Sequence, residues 1–167
     1  MNNILIGSVG GSDGLGGREP WVYYETVGGG QGGRPFAPGM SGVHTCMTNT
    51  RNTPIEAFER AFPMRIVRCT LRHGSGGAGE HAGGEGIERD LEVLEPATLT
   101  LITERRISQP WGVEGGGAGA TGENWLLPGG DESRAERLPD KCTVDLAAGD
   151  VVRLRTPGGG AWGRSRP

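Results

Sequence analysis

Glycine fills 33 of the 167 positions, against a share of roughly 7% in an average chain. Much of it comes in runs: Gly28-Gly29-Gly30-Gln31-Gly32-Gly33, Gly74-Ser75-Gly76-Gly77-Ala78-Gly79, Gly115-Gly116-Gly117 and Gly158-Gly159-Gly160. A glycine loses more backbone freedom on folding than any other residue and brings no side chain to a core. Apolar residues make up only 34% of the chain, so there is room for one domain over 1–167 with one modest core. The glycine runs are expected to be turns, tightly approached loops or unusual backbone, and the tail from Pro157 to Gly163 is expected to lack regular structure. Their spacing shares no template, so no repeat architecture is assigned. A fold of this composition is marginal alone and favours burial against a partner.

Between the runs the pattern is that of strands. Trp21-Val22-Tyr23-Tyr24-Glu25-Thr26-Val27 is aromatic and β-branched. Val67, Cys69 and Leu71 alternate with Arg68, Thr70 and Arg72, which predicts one buried and one wet face. Ile87, Leu91 and Val93 alternate with Glu88, Asp90 and Glu92, and Leu99 and Leu101 with threonines, as two strands of a hairpin or meander joined through Glu95-Pro96. Cys142, Val144 and Leu146 alternate again before Ala147-Ala148-Gly149-Asp150 turns the chain into a strand from Val151 to Thr156. One short amphipathic helix is expected near 53–62: Thr53 as cap, Pro54 at the first helical position, Glu56 completing a capping box, Ile55, Phe58 and Phe62 on one face, and Pro63 as terminator. The fold class is mostly β (α+β), a glycine-rich antiparallel sheet region with that single helix.

Charge excludes several functions. Seventeen basic residues face twenty acidic ones, for a net charge of −3, and no Lys/Arg cluster serves to neutralise a phosphate backbone; nucleic acid is not an expected partner. Nothing approaches the roughly 20 apolar residues of a membrane span, and Met1-Asn2-Asn3-Ile4-Leu5-Ile6-Gly7 lacks a basic n-region, so a cytoplasmic, membrane-free protein is expected. Cys46, Cys69 and Cys142 are odd in number and widely spaced, which fits small buried hydrophobes rather than a disulfide framework or zinc knuckle.

Gly74 to Gly79 matches G-x-G-x-x-G after a strand, but Glu80-His81-Ala82-Gly83-Gly84 follows where a dinucleotide site needs a helix N-terminus. A left-handed loop between strands is expected instead. The histidines are His44, His73 and His81; His44 and Cys46, at i and i+2, would point the same way in an extended segment, yet no diagnostic ligand spacing exists and no metal is assigned to this chain. The run from Ser41 to Thr53 is dense in hydroxyls and amides ahead of the helix. It can either hold a ligand carbonyl or carboxylate or satisfy itself in turns. Its candidate substrate-side or interface residues are His44, Thr45, Thr48, Asn49, Arg51 and Asn52. Glu104, Arg105 and Arg106 form a second candidate set, for an anion or for structural ion pairs with Asp90, Glu92 and Glu95. Trp111, Trp125 and Trp162 sit beside Gly or Pro loops as local packing anchors. No nucleophile elbow or Ser-His-Asp order assembles, so catalytic residues are unknown.

Taken together and in order, several stretches resemble the C-terminal region of the hydantoinase B/5-oxoprolinase family. They are Tyr23-Tyr24-Glu25-Thr26, Ser41-Gly42-Val43-His44-Thr45, Met47-Thr48-Asn49-Thr50, Asn52-Thr53-Pro54-Ile55-Glu56-Ala57, Gly74 to Gly79, Glu104-Arg105-Arg106, Gly122-Glu123-Asn124 and Thr156-Pro157-Gly158-Gly159-Gly160. The resemblance implies a chain equivalent to the last third or so of a B subunit, encoded separately or split from it. It implies ATP-dependent opening of a cyclic amide such as a hydantoin or 5-oxoproline, in a complex with larger hydantoinase A- and B-type subunits that share the site for a small-molecule substrate. ATP and a divalent metal are expected in that complex and no cofactor on this chain alone, which should be inactive by itself. Alternatives within the resemblance are a subunit of the related biotin-independent ketone carboxylases and a purely structural assembly subunit. Cys46 stands where the family pattern leads one to expect His.

Overall fold

The computed structural model describes residues 1–10, 19–45 and 48–165. Among these residues nine strands and one α-helix run in the order β1 (Asn2–Ser8), β2 (Trp21–Thr26), α1 (Ile55–Ala61), β3 (Met64–Arg72), β4 (Gly86–Val93), β5 (Ala97–Thr103), β6 (Glu123–Leu127), β7 (Glu136–Leu138), β8 (Lys141–Leu146) and β9 (Val151–Arg155). They build two antiparallel sheets, β2-β1-β5-β8 and β3-β4-β9-β6-β7. The fold is mostly β with one short helix, as its sequence pattern requires.

The inner faces of the two sheets contribute to one apolar cluster. Ile4, Ile6, Leu99 and Leu101 come from the first sheet and Leu91, Val93, Val152 and Leu154 from the second, each fully buried. Burying each such side chain stabilises by about 1.5–3 kcal/mol. Helix α1 closes one end by inserting Phe58 edge-on against Tyr23, with ring centroids 4.8 Å apart, while Phe62 packs beside both.

The helix starts differently from expectation. Pro54 is the N-cap, no side chain caps the helix, and the Thr53 amide donates to Glu25 Oε1. The expected capping box therefore does not form, because the Thr53 backbone is claimed by a carboxylate across the core. Ile55 is exposed and only Phe58 of the helix is fully buried.

Three strand expectations are corrected. First, β4 and β5 are not a hairpin: the chain passes from one sheet to the other at Leu94-Glu95-Pro96 and returns at Ala147–Asp150 between β8 and β9. The two corners bond each other, Val93 N–H to the Asp150 carbonyl (3.0 Å) and Gly149 N–H to the Val93 carbonyl (2.8 Å). Second, a β-bulge between Ile66 and Arg68 inserts Val67 and shifts the register of β3. This edge strand leaves Val67 and Leu71 exposed, and Cys69 with them, so Cys69 is not a buried hydrophobe. Third, the outer face of the second sheet is not wet along β4. Glu88 and Asp90 are buried beneath arginines: Arg153 grips Asp90 (2.8 Å) and Glu132 (2.5 Å), Arg155 reaches Glu88 (2.7 Å), and Arg72 reaches Glu123 (2.8 Å).

The glycine runs form neither turns nor ordinary loops over most of their length. Segments near 28–42, 75–86, 110–120 and 157–163 lie side by side and bond through their backbones. Toward any one neighbour the donors step by three residues: Gly30 and Gly33 onto Pro157 and Gly160, Gly39 and Gly42 onto Ala82 and Glu85, Gly77 and Glu80 onto Gly159 and Gly163, and Gly158 and Ala161 onto Ala120 and Gly117, while the residues between them bond other neighbours. Three residues per turn is the period of an extended polyproline-II-type helix, which has no internal hydrogen bonds and can pair only with neighbours. Contact is so close that a Cβ at Gly84 would overlap the Met40 carbonyl, and one at Gly159 the Gln31 carbonyl. Within the G-x-G-x-x-G run only Gly74 is left-handed (φ 76°); Gly76 and Gly77 pack against the carbonyls of Gly83 and Gly117. The left-handed-loop expectation therefore holds for one glycine of the four. These segments constitute a backbone-packed lattice, and the tail from Pro157 is one of its central members.

Candidate functional site

The lattice fixes where the polar loop begins. Gly29 and Val43 exchange both backbone hydrogen bonds (3.0 and 2.9 Å), and His44 leaves that bridge with its ring toward the far end of the loop. His44 Nε2 lies 2.7 Å from Asn52 Oδ1, which also accepts the Gly28 N–H at 3.4 Å. Because that oxygen accepts, Nε2 is the protonated nitrogen, and in the neutral ring Nδ1 carries the lone pair. Among the described residues Nδ1 has no partner, so His44 presents a hydrogen-bond acceptor or proton-accepting nitrogen beside the loop.

Two cavities flank this histidine. One, of about 370 Å³, is bordered by Met40, Gly42, Val43, His44, Thr50, Arg51 and Asn52. The other, of about 260 Å³, lies between the Gly28–Gly30 segment of the lattice and Asn2, Thr26, His44, Thr45, Thr48 and Pro157. Five candidates thus converge: His44 borders both cavities, Arg51 and Asn52 the first, and Thr45 and Thr48 the second. Asn49 is exposed, turns the loop at φ 22° and lines neither. Thr48 Oγ1 donates to the Thr45 carbonyl (3.2 Å), whereas exposed Arg51 has no ion pair among the described residues. Cys46 lies outside the described residues. The helix beyond the loop is only 7 residues long, and the polar side chains themselves line the cavities.

What holds the loop's far end was not among the sequence candidates. Glu25 is buried on β2, accepts the Thr53 amide and the Tyr23 hydroxyl, and pairs with Arg89 of β4, which is itself buried over the Phe58 ring. Burial, above all, raises the Tyr23 pKa, with the hydrogen bond to Glu25 adding to it against the Arg89 charge. The sequence does carry a signal: Glu25 and Arg89 are opposite charges at inward positions of two otherwise apolar alternations.

The second candidate set separates. Arg106 is buried and bonds Asn124 and Asn2 rather than carboxylates. Arg105 turns outward at φ 60° and stacks 4.3 Å over exposed Trp111, and Glu104 is 3.4 Å from Lys141. The expected carboxylate partners are engaged elsewhere: Asp90 with Arg153, Glu92 with Arg65 and Glu95 with the Trp21 indole. The histidines stay apart, since His73 pairs with Glu85 and His81 stacks on Trp162. Among the described residues no three His, Cys, Asp or Glu side chains gather as a metal site, and no helix is long and apolar enough to cross a membrane.

The whole arrangement has relatives. The sequence pattern of the Hydantoinase B/oxoprolinase family matches residues 1–165, and the chain belongs to that family. It is 42% identical over 163 residues to 5-oxoprolinase 1 of Arabidopsis thaliana, covering 98% of this chain and 12% of that protein. It is 34% identical over 164 residues to 5-oxoprolinase of Dictyostelium discoideum, covering 98% and 12%. The chain therefore spans about an eighth of the length of these relatives. Two solved structures share the fold: the ATP-dependent caprolactamase from Pseudomonas jessenii (TM-score 0.77, 22% identity, 97% of this chain and 28% of that one), and nucleotide-free acetone carboxylase, which carries out ATP-dependent acetone carboxylation (TM-score 0.73, 18% identity, 98% and 25%).

Proposed function

We propose that this chain is the C-terminal portion of a hydantoinase B-type subunit, acting within a larger complex that opens a cyclic amide, hydantoin or 5-oxoproline in type, at the expense of ATP. The single observation that carries the proposal is the match to the family over residues 1–165, together with the named activity of the 5-oxoprolinase relatives. Larger A- and B-type subunits hold ATP and a divalent metal, and this chain contributes the loop from His44 to Asn52 to the substrate side or to the interface. There the His44 ring, Arg51, Thr45 and Thr48 suit the carbonyls and carboxylate of such a substrate, with Asn52 fixing the ring through its amide oxygen. Arg51 supplies a cation for a carboxylate, and Nδ1 accepts an amide proton.

A second reading is supported by the fold of acetone carboxylase: a subunit of an ATP-dependent carboxylase, in which the same loop would face a ketone or bicarbonate. Co-expression with candidate A- and B-type subunits from the same source, followed by pull-down and mass determination, tests assembly. ATP-dependent consumption of hydantoin or 5-oxoproline by the complex, absent without this chain, is the expected result. Substrate-dependent fixation of labelled bicarbonate would replace it with the carboxylase reading. A monomer that never associates would overturn both.

A further inference from the structure

Away from the His44 loop, β6, β7 and the segments after β5 and β7 border an open cavity of about 570 Å³ to which both Arg106 and Arg137 contribute. Arg106 is only 8% exposed. Its Nε and Nη2 donate to Asn124 Oδ1 (3.0 and 2.7 Å), and its Nη1 donates to Asn2 Oδ1 (2.6 Å) and the Glu104 carbonyl (2.8 Å). Every one of these acceptors is neutral. A guanidinium has five N–H groups, so one on Nη2 is left over. A cation buried without a counter-ion is costly, and the carboxylates around this one are committed to other cations. Glu123 pairs with Arg72 (2.8 Å) and Arg155 (3.3 Å), while Asp140 and Glu104 share Lys141 (3.2 and 3.4 Å). Burial first, and the nearby Arg72 charge next, push Arg106 down to about 10, although Asp140, Glu123 and Glu104 act in the opposite direction. The side chain of Arg137, exposed on β7, makes no hydrogen bond or ion pair among the described residues.

We propose that this cavity is a binding site for a small oxyanion, a carboxylate or a phosphate, held between the Arg106 guanidinium and Arg137. Both residues border the same cavity, and guanidinium forks are the donors that planar or tetrahedral oxyanions select. Glu123 and Asp140 also border the cavity, which limits the bound charge and disfavours polyphosphates. The proposal does not rest on the reaction proposed for the His44 loop, although Asn2 both accepts from Arg106 and borders one of the cavities beside His44. A purely structural Arg106, tying Asn2 of β1 to Asn124 of β6, is the competing explanation. Gly122 serves either role, since a Cβ there would sit 2.5 Å from Nη1.

The test is a titration of the ¹⁵N-arginine-labelled chain, followed by the Nε–Hε resonances, at constant ionic strength set with chloride. Inorganic phosphate is the probe in one arm and acetate in the other. The proposal expects a saturable shift of the Arg106 resonance in at least one arm, weakened about tenfold or more in Arg137→Gln. That variant removes an exposed, unpaired side chain and keeps the Arg106 network as a folding control. An Arg106 signal that does not move in either arm, or that moves equally in Arg137→Gln, would overturn the site and leave Arg106 as a structural tie. Arg106→Lys, which keeps the charge and loses the fork, is expected to fold and to abolish the saturable shift of the Arg137 Nε–Hε resonance; an Arg137 shift that persists unchanged would count against the site.

Discussion

The two sheets and the glycine lattice solve the same problem by opposite means. In the sheets, Ile4, Leu99, Leu101 and Leu154 interdigitate, and the backbones are held apart by the side chains between them. In the lattice, Gly30, Gly84 and Gly159 bring backbone against backbone with nothing in between, and the hydrogen bonds of neighbouring extended segments replace the apolar core. A side-chain core can relax when one member changes size. A backbone-packed core has no rotamer to adjust, so its tolerance depends on which way each missing Cβ would point.

The contrast can be broken most severely at Gly84. In Gly84→Ala the new methyl meets the Met40 carbonyl, and the expected loss is about 4 kcal/mol or more, or no folded protein at all, by urea denaturation. Next comes the charged pair that crosses the apolar cluster: Glu25→Gln leaves Arg89 buried without its counter-ion and is expected to cost about 3–5 kcal/mol. The same change should speed hydrogen exchange at the Thr53 amide, which loses its carboxylate acceptor; unchanged exchange there would separate the pair from the loop. Leu99→Ala, in the side-chain core, should cost about 2–5 kcal/mol according to how far the sheets collapse around the cavity.

Acid titration gives a smaller effect confined to the second sheet. Burial acts to raise Glu88 and Glu123, but hydrogen bonds from Arg155 and Arg68 to Glu88, and from Trp125 and Arg155 to Glu123, leave both below the usual carboxylate value. Their contribution is present in full above the unfolded pKa, about 4.3, and is lost as pH falls from there through the lowered folded values. Stability that stays flat from pH 6 to pH 3 in denaturant melts would contradict the buried ion layer. The smallest change is Gly32→Ala. Gly32 also belongs to the lattice, but its Cβ would meet nothing closer than 3.7 Å, so stability should stay within about 0.5 kcal/mol. A loss as large as that of Gly84→Ala would mean that the lattice rejects side chains everywhere, not only where carbonyls abut.

Side-chain periodicity made the sheets legible. The helix near 53–62 was legible from Phe58 between Pro54 and Pro63, although Ile55 is exposed and Phe62 lies past its end, and alternation in β4, β5 and β8 identifies those strands directly, because each buries a regular set of side chains. It failed at β3, where the bulge at Val67 displaces the pattern, and at the corners, where a short turn looks the same whether it joins neighbours or crosses between sheets. The lattice offered no hydrophobic period at all. Its trace in the sequence is glycine three residues apart, as at Gly30 and Gly33, Gly76 and Gly79, or Gly116 and Gly119, a spacing that marks three-residue helices only when several such segments pack together. For the site, the polar loop was visible as a composition, whereas its anchor was not, since Glu25 and Arg89 are 64 residues apart in sequence and meet only through the fold.

The most direct test of the proposed role is steady-state turnover of the assembled complex carrying His44→Ala, with ADP formation and cyclic-amide consumption followed together. The expected outcome is a complex of unchanged mass in which ATP-dependent ring opening falls about tenfold or more and the loss is greatest below substrate saturation. Unchanged turnover in a correctly assembled complex would contradict a substrate-side loop and leave this chain an architectural part of the enzyme.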